Sequence, residues 1–114
     1  MPLSQAYYNR VARTIFRALG SLVEPVDYRH KDTASDAFTT FQLRAKVWQP
    51  QIEPLTPGIV VAETVTLQLP TAAVAFTPTQ YDQWEQASGA QWSVEHLRGG
   101  PGFPFWWLSS QRVA

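Results

Sequence analysis

The apolar residues of this chain change their period near residue 22, from every third or fourth position to every second, which commits a short N-terminal segment to helix and most of the remainder to strands. Tyr8, Val11, Ala12, Ile15, Phe16 and Leu19 recur at helical spacing. Ser4 can cap the first turn, and Gly20 suits the stop. An amphipathic helix within residues 1–20 is expected. At about 100° per residue, Arg10, Arg13 and Arg17 fall in a narrow arc opposite the apolar stripe. This basic ridge is either an ordinary solvated face or a contact surface for an acidic neighbour or nucleic acid.

Strand patterns follow at Leu22–Arg29 and, after the polar stretch His30–Asp36, at Phe38–Trp48. In the second, Phe41, Leu43, Ala45 and Val47 alternate with Gln42, Arg44, Lys46 and Trp48, so the first set faces a core and Trp48 is an aromatic on the polar side. Pro50, Pro54 and Pro57 remove backbone donors across residues 49–58, which reads as an extended arm: a surface connection, or a reach into a neighbouring subunit. Alternation returns over Ile59–Leu69, and Pro70 is expected to interrupt it before Ala73–Phe76 resumes. Thr77-Pro78 looks like an N-cap followed by proline at the first helical position, predicting a short second helix from Pro78 to about Ala87, ended by Gly89. Gln91–Leu97 and Phe103–Leu108 would form a closing hairpin across Arg98-Gly99-Gly100-Pro101-Gly102. Both faces of the last strand are apolar, so it is buried on two sides or on one side plus a partner, and Pro104 argues for an edge.

Together these features predict one mainly β (α+β) domain over residues 1–114: a small antiparallel β-barrel or sandwich with an N-terminal amphipathic helix, a short second helix and an extended Pro-rich arm. The 114 residues, 45% of them hydrophobic, suffice for one core. Only 16% are charged, against roughly 25% in ordinary soluble domains, while five Trp, six Phe and four Tyr add large apolar surface. That balance favours either a dense core or an aromatic interface completed by assembly. Trp48, Ile52, Leu55, Trp106 and Trp107 are the candidate subunit or partner contacts, with Arg10, Arg13 and Arg17 as a charged contact surface. The nine basic and nine acidic residues cancel, yet residues 1–23 hold three arginines and no acid.

Motifs that would nominate an enzyme are missing. There is no G-x-S-x-G nucleophile elbow and no H-E-x-x-H, and the Gly-rich turn at 99–102 lacks the following Lys-Ser or Lys-Thr of a phosphate loop. With no cysteine, disulfides and thiolate metal sites are excluded. Asp27, His30, Asp32 and Asp36 have the right atoms for a metal but sit where turns need such residues, and Glu95 and His96 point to opposite faces of a strand. No catalytic residue, metal or cofactor is therefore expected. Trp48, Trp84, Trp92, Trp106 and Trp107 would also suit a sugar-binding face or stacking on single-stranded bases, although packing is the commoner use. No apolar run reaches the roughly 20 residues of a membrane span, and Met1-Pro2-Leu3-Ser4-Gln5 lacks the basic start and apolar centre of a signal peptide, so membrane insertion and export are not expected.

The segment Gly89-Ala90-Gln91-Trp92-Ser93-Val94-Glu95-His96-Leu97, a Gly-rich turn, and Trp106-Trp107-Leu108-Ser109-Ser110-Gln111-Arg112 resemble the aromatic-x-Val strand, variable turn and basic-tailed final strand of the head–tail joining (connector or stopper, neck) proteins of tailed bacteriophages, the group of the lambda head–tail joining protein. The order of elements is similar too. Pro70, the Pro-rich arm and Phe103-Pro104-Phe105-Trp106-Trp107 depart from that pattern. The resemblance implies a non-enzymatic virion protein, assembled in the host cytoplasm and located at the neck. It would form a homomeric ring around a DNA channel, between a portal or adaptor ring and a tail terminator or tail tube protein. Capsid decoration, a baseplate role and carbohydrate binding are the alternatives.

Overall fold

The computed structural model describes residues 4–32, 34–52 and 63–113. The N-terminal helix α1 (Gln5–Leu19) begins where its sequence says it should: the Ser4 hydroxyl accepts from the Tyr7 N–H, and Gly20 takes a φ of 53° to end the last turn. A single 3₁₀ turn then leads into six strands: β1 (Val23–Lys31), β2 (Phe38–Ile52), β3 (Glu63–Pro70), β4 (Gln83–Gln86), β5 (Gln91–Gly99) and β6 (Phe105–Arg112). They close antiparallel in the order β1-β2-β3-β6-β5-β4, with the short β4 pairing back to β1, so each described strand has a neighbour on both sides.

The inward alternation supplies the core: Val26 and Tyr28 from β1, Ala45 from β2, Val65, Leu67 and Leu69 from β3, Trp84 from β4, Trp92 and Val94 from β5 and Leu108 from β6. Leu43 and Val47 pack against this cluster while Arg44 and Trp48 face outward, as their alternation implies. The helix lies on the outside of the barrel. Its Ala12 is buried, and its Phe16 meets Phe105 of β6 at 5.3 Å between ring centres. Gln5 fastens its first turn to the β5–β6 turn, donating to the Phe103 carbonyl and accepting from the Gly102 N–H. That turn needs its glycines. Gly100 has a φ of 94°, and a Cβ there would stand 2.6 Å from ring atoms of Trp106.

Four expectations require correction. Residues 78–87 are not a helix: Asp82 N–H bonds back to the Thr79 carbonyl in one turn, and β4 starts at Gln83. Burial of Trp84 explains the difference, since the strand stacks its ring on Trp92 and lets its Nε1 donate to Ser110 Oγ at 2.9 Å. The extended arm does not begin at 49, because β2 continues through Pro50 to Ile52, and the missing N–H is accommodated at a register shift between Trp48 and Gln51. The rest of the arm, Leu55 included, and the expected strand residues 59–62 lie outside the described residues. Pro70 does not interrupt β3 but is its last residue, paired with Phe105. After it, Thr71–Ala73 form a 3₁₀ turn, and the segment that was expected to resume the strand instead folds Val74 and Phe76 onto the core. Finally, β6 is not an edge: Pro104 precedes the strand, which pairs with β3 on one side and β5 on the other.

Candidate functional site

The outer faces of β2, β3 and β6 bring together residues far apart in the chain. Trp48 of β2 stands opposite Thr66, and its Nε1 donates to Gln68 Oε1 at 3.0 Å. The Lys46 ammonium lies 5.2 Å from the centre of the Trp48 ring, while the Trp107 ring is 6.4 Å away and tilted by 35°. Gln68, though on the outer face, is only 2% exposed, and its side chain anchors the indole beside it. Trp48 itself remains 44% exposed. Beside Trp107, a groove of about 220 Å³ is lined by Thr66, His96, Arg98 and Ser109.

Of the residues singled out from sequence, the fold thus joins Trp48 and Trp107 in one patch but separates Trp106 from them. Trp106 points inward, packs against the core and covers Gly100. Ile52 ends β2 with its backbone opposite Glu63. Arg10, Arg13 and Arg17 are all exposed on α1.

A second constellation, on the inside, escaped the sequence reading. Asp82 is fully buried and accepts from five donor groups: Tyr28 Oη at 2.6 Å, His30 Nδ1 at 3.1 Å, the Lys31 N–H at 2.9 Å, and both the N–H and the hydroxyl of Thr79 at 2.9 and 3.0 Å. Its own carbonyl accepts from the Val94 N–H, so this one residue ties β1, the turn before β4, and β5. Phe76 stacks over the cluster, 4.6 Å from His30, 5.2 Å from Tyr28 and 4.6 Å from Phe41. Chemically, the carboxylate is spent on structural donors: both of its oxygens are engaged by groups of the chain, leaving it an internal clasp. The only signal in the sequence was Thr79-x-x-Asp82, which also reads as the start of a helix.

The other polar candidates are used locally. Asp27 faces outward on β1 opposite Glu85, and Asp36 pairs with Lys31 at 3.6 Å. Asp32 accepts from the Ala34 N–H and the Ser35 hydroxyl, which hold its carboxyl below the usual carboxylate range.

Burial, reinforced by the hydrogen bond to Asp82 and that carboxylate's charge, raises the Tyr28 phenol well above its ordinary value. The sign of the consequence is fixed by linkage. Above about pH 10 the unfolded chain releases this proton and the folded chain keeps it, so folding stability falls as pH rises, with a limiting contribution of about 1.4 kcal/mol per pH unit. Urea unfolding of wild type and Tyr28→Phe between pH 9 and about 11.5 checks this: the variant is expected to show a shallower alkaline decline by one proton's slope.

The chain matches no protein-family model and no curated protein sequence. What the geometry defines is a class: a small closed β-barrel with an external helix, a polar clasp within and an aromatic patch outside. No described helix is long and apolar enough to cross a membrane.

Proposed function

We propose that this chain is a structural protein of a tailed-phage neck, a subunit of a homomeric ring that joins the head and its portal complex to the tail and helps retain packaged DNA. The observation that carries the reading is the outer Trp48–Trp107 pair, aromatic area held in place by Gln68 and Lys46 yet left partly open to solvent. Fixed, half-exposed indoles lose little side-chain entropy on contact, which is what protein interfaces select in their anchors. A closed strand order also gives each described strand a neighbour on both sides, which favours contact through such outer side chains. The resemblance of residues 89–97 and 106–112 to neck proteins supplies the particular assembly, with a portal or adaptor ring on one side and a tail terminator or tail tube on the other. A decoration or baseplate protein would use the same patch and is separated from this reading by its position in the particle. A sugar-binding face fits less well, because two rings inclined by 35° do not offer one flat platform.

Co-sedimentation of the purified chain with isolated heads and isolated tails tests the proposal. Wild type is expected to bind at least one of them, and the Trp48→Ala, Trp107→Ala double variant at least tenfold more weakly, a difference of about 1.4 kcal/mol. Trp48→Ala alone is expected to change folding stability by about 1 kcal/mol or less, since the residue is half-exposed. Wild-type protein that binds no virion component would sink the reading, and a glycan array that retains it in a Trp48-dependent manner would replace it.

A further inference from the structure

The nine basic side chains of the chain fall into two sets. Arg29, Lys31 and Arg112 are each ion-paired, with Glu85 at 3.1 Å, Asp36 at 3.6 Å and Glu63 at 3.2 Å. The other six make no ion pair with a described carboxylate: Arg10, Arg13 and Arg17 on α1, Arg44 and Lys46 on the outer face of β2, and Arg98 on β5 beside Trp107. In a chain of zero net charge this is a spatial separation of sign. It is sharpest on α1, which carries three arginines and no acid.

A merely solvated helix face usually interleaves acids with bases, because like charges three and four positions apart repel by a few tenths of a kcal/mol per pair. Arg10–Arg13 and Arg13–Arg17 are two such pairs without a compensating acid. Their positions rise by about 4.5 and 6 Å along the helix, a run of about 10 Å. That run equals the axial rise of about three nucleotides of one DNA strand. The ridge is bordered by Ala6, Thr14 and Ala18, all exposed and small, and by the exposed ring of Tyr7, three positions before Arg10. All three cations are arginine, whose planar fork matches phosphate oxygens.

We infer that the α1 side of the barrel binds the phosphodiester backbone of nucleic acid, with Arg10, Arg13 and Arg17 as its phosphate contacts. The inference goes beyond the neck reading and does not depend on it, since it follows from the distribution of unpaired charge alone.

The test is fluorescence anisotropy of the full chain with a labelled duplex and a labelled single strand of unrelated sequence, titrated between about 50 and 200 mM salt. Binding is expected to be sequence-independent and to weaken with salt. Replacing all three ridge arginines by alanine is expected to weaken it at least tenfold at the lowest salt and to flatten the plot of log K against log salt by about 2.7 for duplex or about 2.1 for single strand. The corresponding three-lysine variant keeps most of the salt dependence, and Arg29→Ala, which removes a paired cation, leaves binding unchanged. The relative affinities of the two probes identify which form of the backbone is preferred. Absence of binding to both probes, a three-alanine variant that binds as wild type does, or polyglutamate competing as well as DNA would overturn the proposal, the last by reassigning the ridge to an acidic protein.

Discussion

Asp82→Ala is expected to destabilise the domain by about 3–5 kcal/mol, a large part of the roughly 5–15 kcal/mol of an ordinary domain. The cost does not come from lost volume. Removing the carboxylate strands the buried Tyr28 hydroxyl and takes the acceptor from the partly buried His30 Nδ1–H, Thr79 N–H and hydroxyl and Lys31 N–H. Each buried donor left without an acceptor costs about 1–3 kcal/mol, and partial relaxation keeps the total below the simple sum. Asp82→Asn is expected to recover little, because its NH₂ presents hydrogens to a ring of donors. Tyr28→Phe removes only one donor and should cost about 1 kcal/mol. The Tyr28–Asp82 double-mutant cycle should therefore show clear coupling, since the Asp82 variant has already lost what Tyr28 binds. Urea unfolding monitored by tryptophan fluorescence reads all four proteins, and an Asp82→Ala protein within about 1 kcal/mol of wild type would show that the clasp is incidental.

That residue also shows where the sequence stopped being informative. The helix Gln5–Leu19 was legible because its evidence is local: a hydroxyl cap, a repeat of apolar positions and a terminal glycine lie within one short stretch. The long strands were legible for the same reason, their alternation being visible residue by residue, as at Leu43, Ala45 and Val47. Around residue 80 the local evidence supported two outcomes. Asp82 reaches back to the Thr79 N–H as in a capping box, while the Thr79 hydroxyl accepts from the Tyr81 N–H, and a single turn satisfies that chemistry as well as a helix does. The decision fell to Trp84, Trp92 and Ser110, and nothing in the segment itself announces partners that lie 8 and 26 residues away. The outer patch was half legible. Alternation placed Trp48 outside, whereas the neighbouring Trp106 and Trp107 could be sorted into inner and outer only by the register of β6 against β3. The long-range ion pairs were not legible, since Arg29–Glu85 and Arg112–Glu63 each span about half the chain.

Trp84→Ala is expected to cost about 3–5 kcal/mol, and comparison with Trp48 makes the reason plain. Trp84 is 1% exposed, its ring lies 5.6 Å from that of Trp92 at 19°, and its Nε1 donates to Ser110 Oγ. Alanine there removes an indole from the middle of a closed barrel whose strands are tied by backbone pairing on both sides, so the walls cannot collapse to fill the space. Trp84→Phe keeps part of the volume and loses the hydrogen bond, while Ser110 Oγ can still donate to the Leu108 carbonyl, so about 1–3 kcal/mol is expected. The two tryptophans should consequently dissociate in experiment. Trp84 variants lower the urea midpoint and reduce co-sedimentation only through the unfolded fraction, an effect that cooling or stabilising solutes reverses. Trp48→Ala shifts the midpoint far less than Trp84→Ala does and loses the partner. A Trp84→Ala protein with a wild-type midpoint would mean that β4 does not close the barrel against β1 and β5, and the inner clasp at Asp82 would lose the frame that holds it.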